Sequence, residues 1–120
     1  MFEVIVRDSI ASAHQLPGYE GPCKDMHGHT WKIEITVMGE ALDKIGLLTD
    51  FKILKARLKE TLRPLDHVVL NDLAAFQGIN PSTENLARHI YHALKFQCTP
   101  LRLKQVQVWE SEGASVVYHE

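Results

Sequence analysis

The sequence predicts an α+β domain with a four-stranded antiparallel sheet and two helices on one face. Three observations support this: strand-like stretches lie at both ends, helix-like stretches lie between them, and strands and helices do not alternate as in doubly wound folds. The 120 residues fit a single domain, residues 1–120, because a chain of this length forms one core.

The first two strands are predicted from an alternation of apolar and polar residues. The first begins at Phe2 and continues towards Ser12 and His14, and the second extends from His27 to Met38. The stretch between them, residues 15–26, contains two prolines and two glycines, which predicts a loop.

The two helices are predicted from apolar residues that recur at helical spacing. Thr49 or Asp50 can cap the first helix, Pro64 ends it, and the second starts near Ser82 or Thr83. The expected apolar stripes are Phe51, Leu54, Leu58 and Leu62 in the first helix, and Leu86, Ile90, Ala93 and Leu94 in the second. Two final strands, Leu103–Glu110 and Ala114–Tyr118, are joined by a short loop that contains Gly113.

Composition and charge argue against several classes of protein. The net charge is −2 and lysines and arginines form no run, which disfavours nucleic-acid binding. Apolar stretches are far shorter than the ~20 residues that span a bilayer, and the first residues do not resemble a leader peptide. We therefore expect a cytoplasmic protein without membrane or nucleic-acid partners. Two cysteines are too few for a disulfide framework, and Cys98 is expected to be a packing residue.

Histidines supply the strongest chemical signal. His27 and His29 are two apart on one strand, so both imidazoles point to the same face, and His14 at the end of the neighbouring strand is the best third candidate. Three neutral imidazoles are typical of catalytic zinc, which keeps a fourth position for water or substrate. A pair of ordinary strand histidines and a zinc hydratase or hydrolase remain open alternatives.

Two further residues have side chains that are candidates for a role in metal binding, catalysis or ligand binding. Cys23 precedes His27 by four residues and is either a fourth, structural ligand or a thiolate that acts as a base. Glu110 shares the alternating face of Val106 and Val108, where a buried carboxylate needs hydrogen-bond donors.

Five blocks of sequence occur together in one order. They are Ser12–Pro17, Cys23–His29, Thr49–Lys55, Leu65–Asn71 and Pro81–Ala87, with Val108–Glu110 near the end. In these blocks, and over the whole chain, the sequence resembles the tetrahydropterin synthases. The resemblance implies the tunnelling fold, in which sheets of several subunits join into barrels, and a homo-hexamer built as a dimer of trimers.

The resemblance also implies roles for individual residues. His14, His27 and His29 are the expected Zn²⁺ ligands, and Cys23 is the expected proton acceptor. The remaining implied roles are a proton relay to a neighbouring subunit's cysteine for Asp66 and His67, the lining of a pterin pocket for Ser82, Thr83 and Glu84, and an anchor for the pterin ring for Glu110.

The expected substrate is 7,8-dihydroneopterin triphosphate. Three residues separate Cys23 from His27, a spacing that is similar to that of the carboxy-forming members of the family. We therefore expect 6-carboxytetrahydropterin, acetaldehyde and triphosphate as products, on the route to queuosine-type deazapurines. One alternative is 6-pyruvoyl-tetrahydropterin as the end point, for the biopterin route. A second is a non-catalytic module with a closed zinc site made by one cysteine and three histidines.

Overall fold

The computed structural model describes residues 1–120, with the exception of the side chain of Cys23. Its strands are β1 (Phe2–His14), β2 (His27–Gly39), β3 (Arg102–Ser111) and β4 (Ala114–Tyr118), and its long helices are α1 (Phe51–Leu62) and α2 (Thr83–Leu94). The strands form one antiparallel sheet in the order β1-β2-β3-β4. The predicted sheet and the two predicted helices are confirmed.

The core lies between one face of the sheet and the two helices. Alternate strand residues such as Ile10, Ile33 and Val106 form one buried cluster with helix residues such as Leu58 and Ile90. Side chains two apart on a strand share a face, so this packing also decides which face carries the histidines.

Both helices begin at the predicted residues. The Asp50 side chain accepts a hydrogen bond from the Lys52 backbone N–H at 2.8 Å, and Ser82 accepts one from the Asn85 N–H at 3.1 Å. These are ordinary N-caps, which satisfy backbone donors that lack a partner in the first turn.

Two residues of the predicted apolar stripes are exposed. Phe51 is 59% exposed because it is the first residue of α1 and precedes the turns that contact the sheet. Ala93 is exposed because the buried stripe of α2 is rotated towards Ala87 and Tyr91. Tyr91 instead packs inward, and its hydroxyl donates to the Leu103 carbonyl at 3.3 Å.

The structure also contains short 3₁₀ turns that the sequence did not predict. In the described chain they comprise Pro22–Lys24, Arg63–Leu65, Leu70–Asp72 and Ala74–Phe76. Cys98 is buried in the core, as predicted, and burial raises the pKa of its thiol. Among the described residues, neither α1 nor α2 nor any shorter helix is long and apolar enough to cross a membrane.

Candidate metal centre and adjoining pocket

Strand register places the three predicted ligands together. In the β1–β2 pair His14 lies directly opposite His27, and Ser12 lies opposite His29. All three imidazoles therefore point to the helix-covered face at the end of the sheet. Gly28, between the two β2 histidines, would place a Cβ in open space on the other face.

Backbone carbonyls orient two of these rings. Nδ1 of His14 donates to the Pro81 carbonyl oxygen at 2.8 Å, and Nδ1 of His27 donates to the Asp25 carbonyl oxygen at 2.6 Å. With Nδ1 protonated, each neutral ring has a free lone pair on Nε2, and the two Nε2 atoms are only 2.9 Å apart. Metal-binding histidines are commonly oriented by such outer hydrogen bonds.

The third ring has no such partner. Nε2 of His29 lies 3.0 Å from Oε1 of Glu110, but this contact lacks hydrogen-bond geometry, so among the described residues this buried nitrogen has no hydrogen-bond partner. Trp31 packs edge-on against His14 and His29 with ring centroids 4.9 and 5.0 Å away, which restricts both imidazoles.

Glu110 reaches the histidines from β3. The β3–β4 register shifts between Trp109 and Ser111, so Glu110 lies in a bulge at the end of the strand. Bulges change the direction of a side chain and are frequent beside active sites. Oε2 of Glu110 accepts a hydrogen bond from Oγ1 of Thr83 at 2.7 Å, which connects the carboxylate to the first turn of α2.

The surroundings favour neutral imidazoles. Burial lowers the pKa of His14, the nearby His27 adds to this, and the hydrogen bond to Pro81 opposes it. Burial also lowers the pKa of His29, an effect that Glu110 opposes. A metal ion binds the neutral form of histidine, so these shifts keep the binding form present at lower pH.

The donor set fits a metal ion. The ligand atoms of His14, His27, His29 and Glu110 all lie within 4.8 Å of one another. Three imidazoles and a carboxylate oxygen are donors that suit zinc and related transition metals. The predicted trio of histidines is therefore assembled, and a carboxylate that the sequence assigned to the pterin ring lies close enough to be a fourth ligand.

A pocket of about 640 Å³ adjoins this cluster. It is lined by Leu16, Pro17, Gly18, Tyr19, Asn80, Ser82, Glu84 and Glu110. The predicted pocket residues Ser82 and Glu84 are thus present in the wall, whereas Thr83 contributes through its hydrogen bond to Glu110. These lining residues, all in the described part of the chain, include two carboxylates but neither lysine nor arginine, which favours a ligand with several N–H donors.

A comparison with protein families decides the affiliation. A family model described as 6-pyruvoyl tetrahydropterin synthase matches residues 3–120. The chain belongs to the 6-pyruvoyl tetrahydropterin synthase family. It is therefore a member of a family of enzymes, and its fold is the tunnelling fold of that family.

Relatives within the 6-pyruvoyl tetrahydropterin synthase family carry different names. The chain is 34% identical over 126 residues to a 6-carboxy-5,6,7,8-tetrahydropterin synthase from Bacillus subtilis, covering 98% of this chain and 84% of the relative. It is 36% identical over 100 residues to a 6-pyruvoyl tetrahydrobiopterin synthase from Dictyostelium discoideum, covering 82% and 73%. The solved 6-pyruvoyl tetrahydropterin synthase of Caenorhabditis elegans superposes with a TM-score of 0.87 at 24% identity, over 99% of this chain and 95% of that one, which shows the shared fold.

Asp66 and His67 do not join the candidate metal centre within one chain. Nδ1 of His67 lies 2.9 Å from Oδ1 of Asp66, and the His67 side chain is 80% exposed. His67 has a φ of 56°, a conformation that costs free energy in a residue with a side chain. The Ala11 N–H donates to Oδ1 of Asp66 and is the main cause of the lowered pKa of that carboxyl group. Asp66 lines a different pocket from the one beside the histidine cluster, together with Ser9 and Arg63.

The predicted proton acceptor Cys23 lies outside the described side chains. Its backbone belongs to the turn Pro22–Lys24, which precedes His27. The catalytic role assigned to this thiol therefore stays a prediction.

Sequence reasoning missed the groups that surround the ligands in this family member. The backbone carbonyl groups of Pro81 and Asp25 orient imidazoles. Every residue has such a carbonyl group, so no residue type in the sequence marks these two positions. The pocket wall formed by Leu16–Tyr19 could have been suspected from its position directly after His14. Asn71 was noted only as the last residue of the sequence block Leu65–Asn71.

Proposed function

We propose that this chain is a zinc-dependent 6-carboxy-5,6,7,8-tetrahydropterin synthase, a lyase. Its substrates are 7,8-dihydroneopterin triphosphate and water, and its products are 6-carboxytetrahydropterin, acetaldehyde and triphosphate. The observation that carries the proposal is the cluster of His14, His27 and His29 beside a pocket with two carboxylates. The carboxy product is supported by the Bacillus subtilis relative, whose alignment covers nearly the whole chain.

The histidines hold the metal ion in this proposal. Bound zinc supplies a Lewis acid for oxygens of the substrate side chain. The carbonyl groups of Pro81 and Asp25 keep His14 and His27 in the tautomer that presents Nε2. The packing of Trp31 against His14 and His29 limits ring rotation, so the ligand positions change little during the reaction.

The pocket residues hold the pterin ring. Glu110 accepts two N–H donors of the ring, since an ionised carboxylate offers two acceptor oxygens. Thr83 fixes Glu110 through its hydrogen bond to Oε2, which keeps a second lone pair for a ring N–H. Ser82 and Glu84 complete the wall. The triphosphate extends out of this pocket, because its lining in the described residues offers carboxylates and no cationic side chain.

Proton transfer is assigned to two groups. The thiolate of Cys23 accepts the proton from the substrate carbon, and Asp66 with His67 relays protons to the cysteine of a neighbouring subunit. The exposed position of His67, held in one conformation by its backbone hydrogen bond to Ala11, supports a partner outside its own chain.

Assembly is part of the same proposal. β1 and β4 are the end strands of the sheet, and pairing β4 with the part of β1 before Ala11 in another copy joins sheets into a barrel. We expect a homo-hexamer in the cytoplasm, acting on the route to queuosine-type deazapurines. Light scattering on the purified protein measures the mass; a monomer at working concentration contradicts the assembly.

The deciding experiment is incubation of the purified protein with 7,8-dihydroneopterin triphosphate. Acetaldehyde is trapped as a hydrazone, and pterins and phosphates are identified by mass spectrometry. We expect acetaldehyde and 6-carboxytetrahydropterin in equal amounts. If 6-pyruvoyl-tetrahydropterin accumulates and no acetaldehyde is trapped, the chain is a pyruvoyl synthase; if the substrate is unchanged, the non-catalytic zinc module gains support.

A further inference from the structure

The segment of residues 66–71 runs parallel to β1 along its outer edge. The His67 N–H donates to the Ala11 carbonyl at 2.6 Å, and the Ala13 N–H donates to the Val68 carbonyl at 3.0 Å. Ala13 also forms a parallel bridge with Val69. The edge of β1 beside the metal centre is therefore already paired within the chain.

At Asn71 the backbone pairing with β1 is replaced by side-chain hydrogen bonds. The backbone turns into the 3₁₀ helix Leu70–Asp72, so it can no longer follow β1. The Asn71 side chain continues the ladder instead: its Oδ1 accepts from the Gln15 N–H at 2.9 Å, and its Nδ2 donates to the Gln15 carbonyl at 3.0 Å. A carboxamide carries the same donor and acceptor as a peptide group, so Asn71 replaces one residue of a strand.

Gln15 occupies a critical place in the backbone. It directly follows His14, which is fully buried, and directly precedes Leu16–Tyr19, which begin the wall of the pocket. The Asn71 backbone carbonyl in turn accepts from Nε2 of Gln77 at 3.0 Å, so Asn71 is itself fixed.

We propose that Asn71 is a positioning residue, which sets the direction of His14 towards the metal ion by holding the peptide groups of Gln15. This inference rests on the proposed metal centre. Loss of the two hydrogen bonds frees the backbone on the loop side of His14, while every ligand atom remains. Loss of an outer group that orients a ligand typically weakens metal affinity roughly 10- to 100-fold.

Two substitutions test this role. Asn71→Asp keeps the acceptor for the Gln15 N–H but places a carboxylate oxygen against the Gln15 carbonyl, 3.0 Å away in the present structure. Asn71→Ser is a milder variant, because it introduces no charge. Its hydroxyl group is still too short to reach both the N–H and the carbonyl of Gln15. Gln97→Glu is the matched control: it makes the same amide-to-acid change where Nε2 donates to the Ala93 carbonyl, past the far end of α2.

Three quantities are measured on the metal-free protein titrated with Co²⁺: affinity against a competing chelator, the visible absorption of the saturated Co²⁺ form, and the free energy of unfolding without metal. We expect both Asn71 variants to bind Co²⁺ at least about tenfold more weakly, with an altered absorption spectrum. Gln97→Glu should match wild type in affinity and spectrum.

The proposal is overturned if the Asn71 variants that fold are less stable but keep the wild-type affinity and spectrum, because Asn71 then serves the fold alone. Failure of the metal centre is recognised separately. If wild type binds no Co²⁺, or if His29→Ala binds it as wild type does, the proposed site itself is wrong.

Discussion

His14 and His27 face each other across β1 and β2 with their Nε2 atoms 2.9 Å apart, while both Nδ1 atoms donate to backbone carbonyls. Two lone pairs at this distance repel each other unless a proton or a cation lies between them. Burial lowers the pKa of His14 and so disfavours the proton. A cation at this point therefore relieves an electrostatic cost that the fold imposes.

The first prediction concerns His29. His29→Ala removes a proposed ligand atom and should lose both bound metal and product formation. His119→Ala is the control, because His119 is exposed and stands apart from the cluster. Metal content by mass spectrometry and turnover check this; full metal occupancy in His29→Ala contradicts the ligand assignment.

A second prediction separates catalysis from metal binding at Cys23. Cys23→Ala should retain the metal and lose turnover, because in the proposed mechanism the thiolate is a base and not a ligand. Metal content and turnover are measured on the same preparation. Loss of bound metal from Cys23→Ala instead supports a structural site with four protein ligands.

Glu110 gives the third prediction. Glu110→Gln replaces an acceptor by a donor that opposes a ring N–H, so affinity for the pterin should fall by roughly 1–3 kcal/mol, about 5- to 150-fold. Glu112→Gln, in the exposed turn between β3 and β4, is the matched control. Titration calorimetry with dihydroneopterin measures the affinity. Metal content is measured in parallel, since Oε1 lies 3.0 Å from Nε2 of His29; loss of metal identifies Glu110 as a ligand.

The fourth prediction separates the two roles of Ser82. Ser82→Ala removes an N-cap and should lower the free energy of unfolding by about 1 kcal/mol, as Asp50→Ala should at the start of α1. Only Ser82 lines the pocket, so only Ser82→Ala should also weaken pterin binding. Denaturant unfolding and calorimetry check both quantities. Equal pterin affinity in the two variants shows that Ser82 acts only as the N-cap of α2.

A fifth prediction concerns acid stability. Hydrogen bonds from Lys95, His92 and Tyr118 lower the pKa of Glu120 from 4.5 to about 2. A carboxyl group with a depressed pKa in the folded state stabilises the fold above its unfolded pKa and loses this effect as the pH falls through the folded value. The stability difference between wild type and Glu120→Gln should therefore shrink between pH 4.5 and 2.

Denaturant unfolding at several pH values measures that difference. Glu112→Gln serves as control, because Glu112 lies in the exposed hairpin turn away from this group of residues. A difference for Glu120→Gln that is constant over the interval contradicts the role of the three donors.

Parts of the site follow from the sequence because they depend on period and pairing alone. His27 and His29 share a face since strand side chains alternate, and His14 meets His27 since a hairpin pairs the end of one strand with the start of the next. The approach of Glu110 to His29 depends on a bulge, and no local pattern marks the extra residue. The backbone partners of the histidines depend on loop conformation, which is set by tertiary contacts.

The same distinction holds for the helices. The spacing of Leu86, Ile90 and Leu94 fixes the existence of the α2 stripe, but its centre depends on how the helix rotates against β3 and β4. That rotation buries Tyr91 and exposes Ala93. Alanine is small enough to be tolerated on either side, so composition does not decide between the two.

The short 3₁₀ turn Leu70–Asp72 explains why Asn71 escaped prediction. A side chain can imitate a peptide group only where the backbone leaves the strand direction, and this departure has no clear periodic signature. The motif that contains Asn71 points to importance, whereas the partner Gln15 emerges only from the three-dimensional structure.

The location of all three histidines on one hairpin bears on how the protein would acquire the proposed metal ion. His14, His27 and His29 come together by closing a single short loop, which has a small entropic cost compared with distant pairings. A chain that has formed only this hairpin can therefore already capture an ion. Binding to such partly folded molecules reduces the net gain in stability that the metal gives the native state. We therefore expect that metal present during refolding speeds the pairing of β1 with β2, and that it raises the melting temperature of the folded protein only slightly.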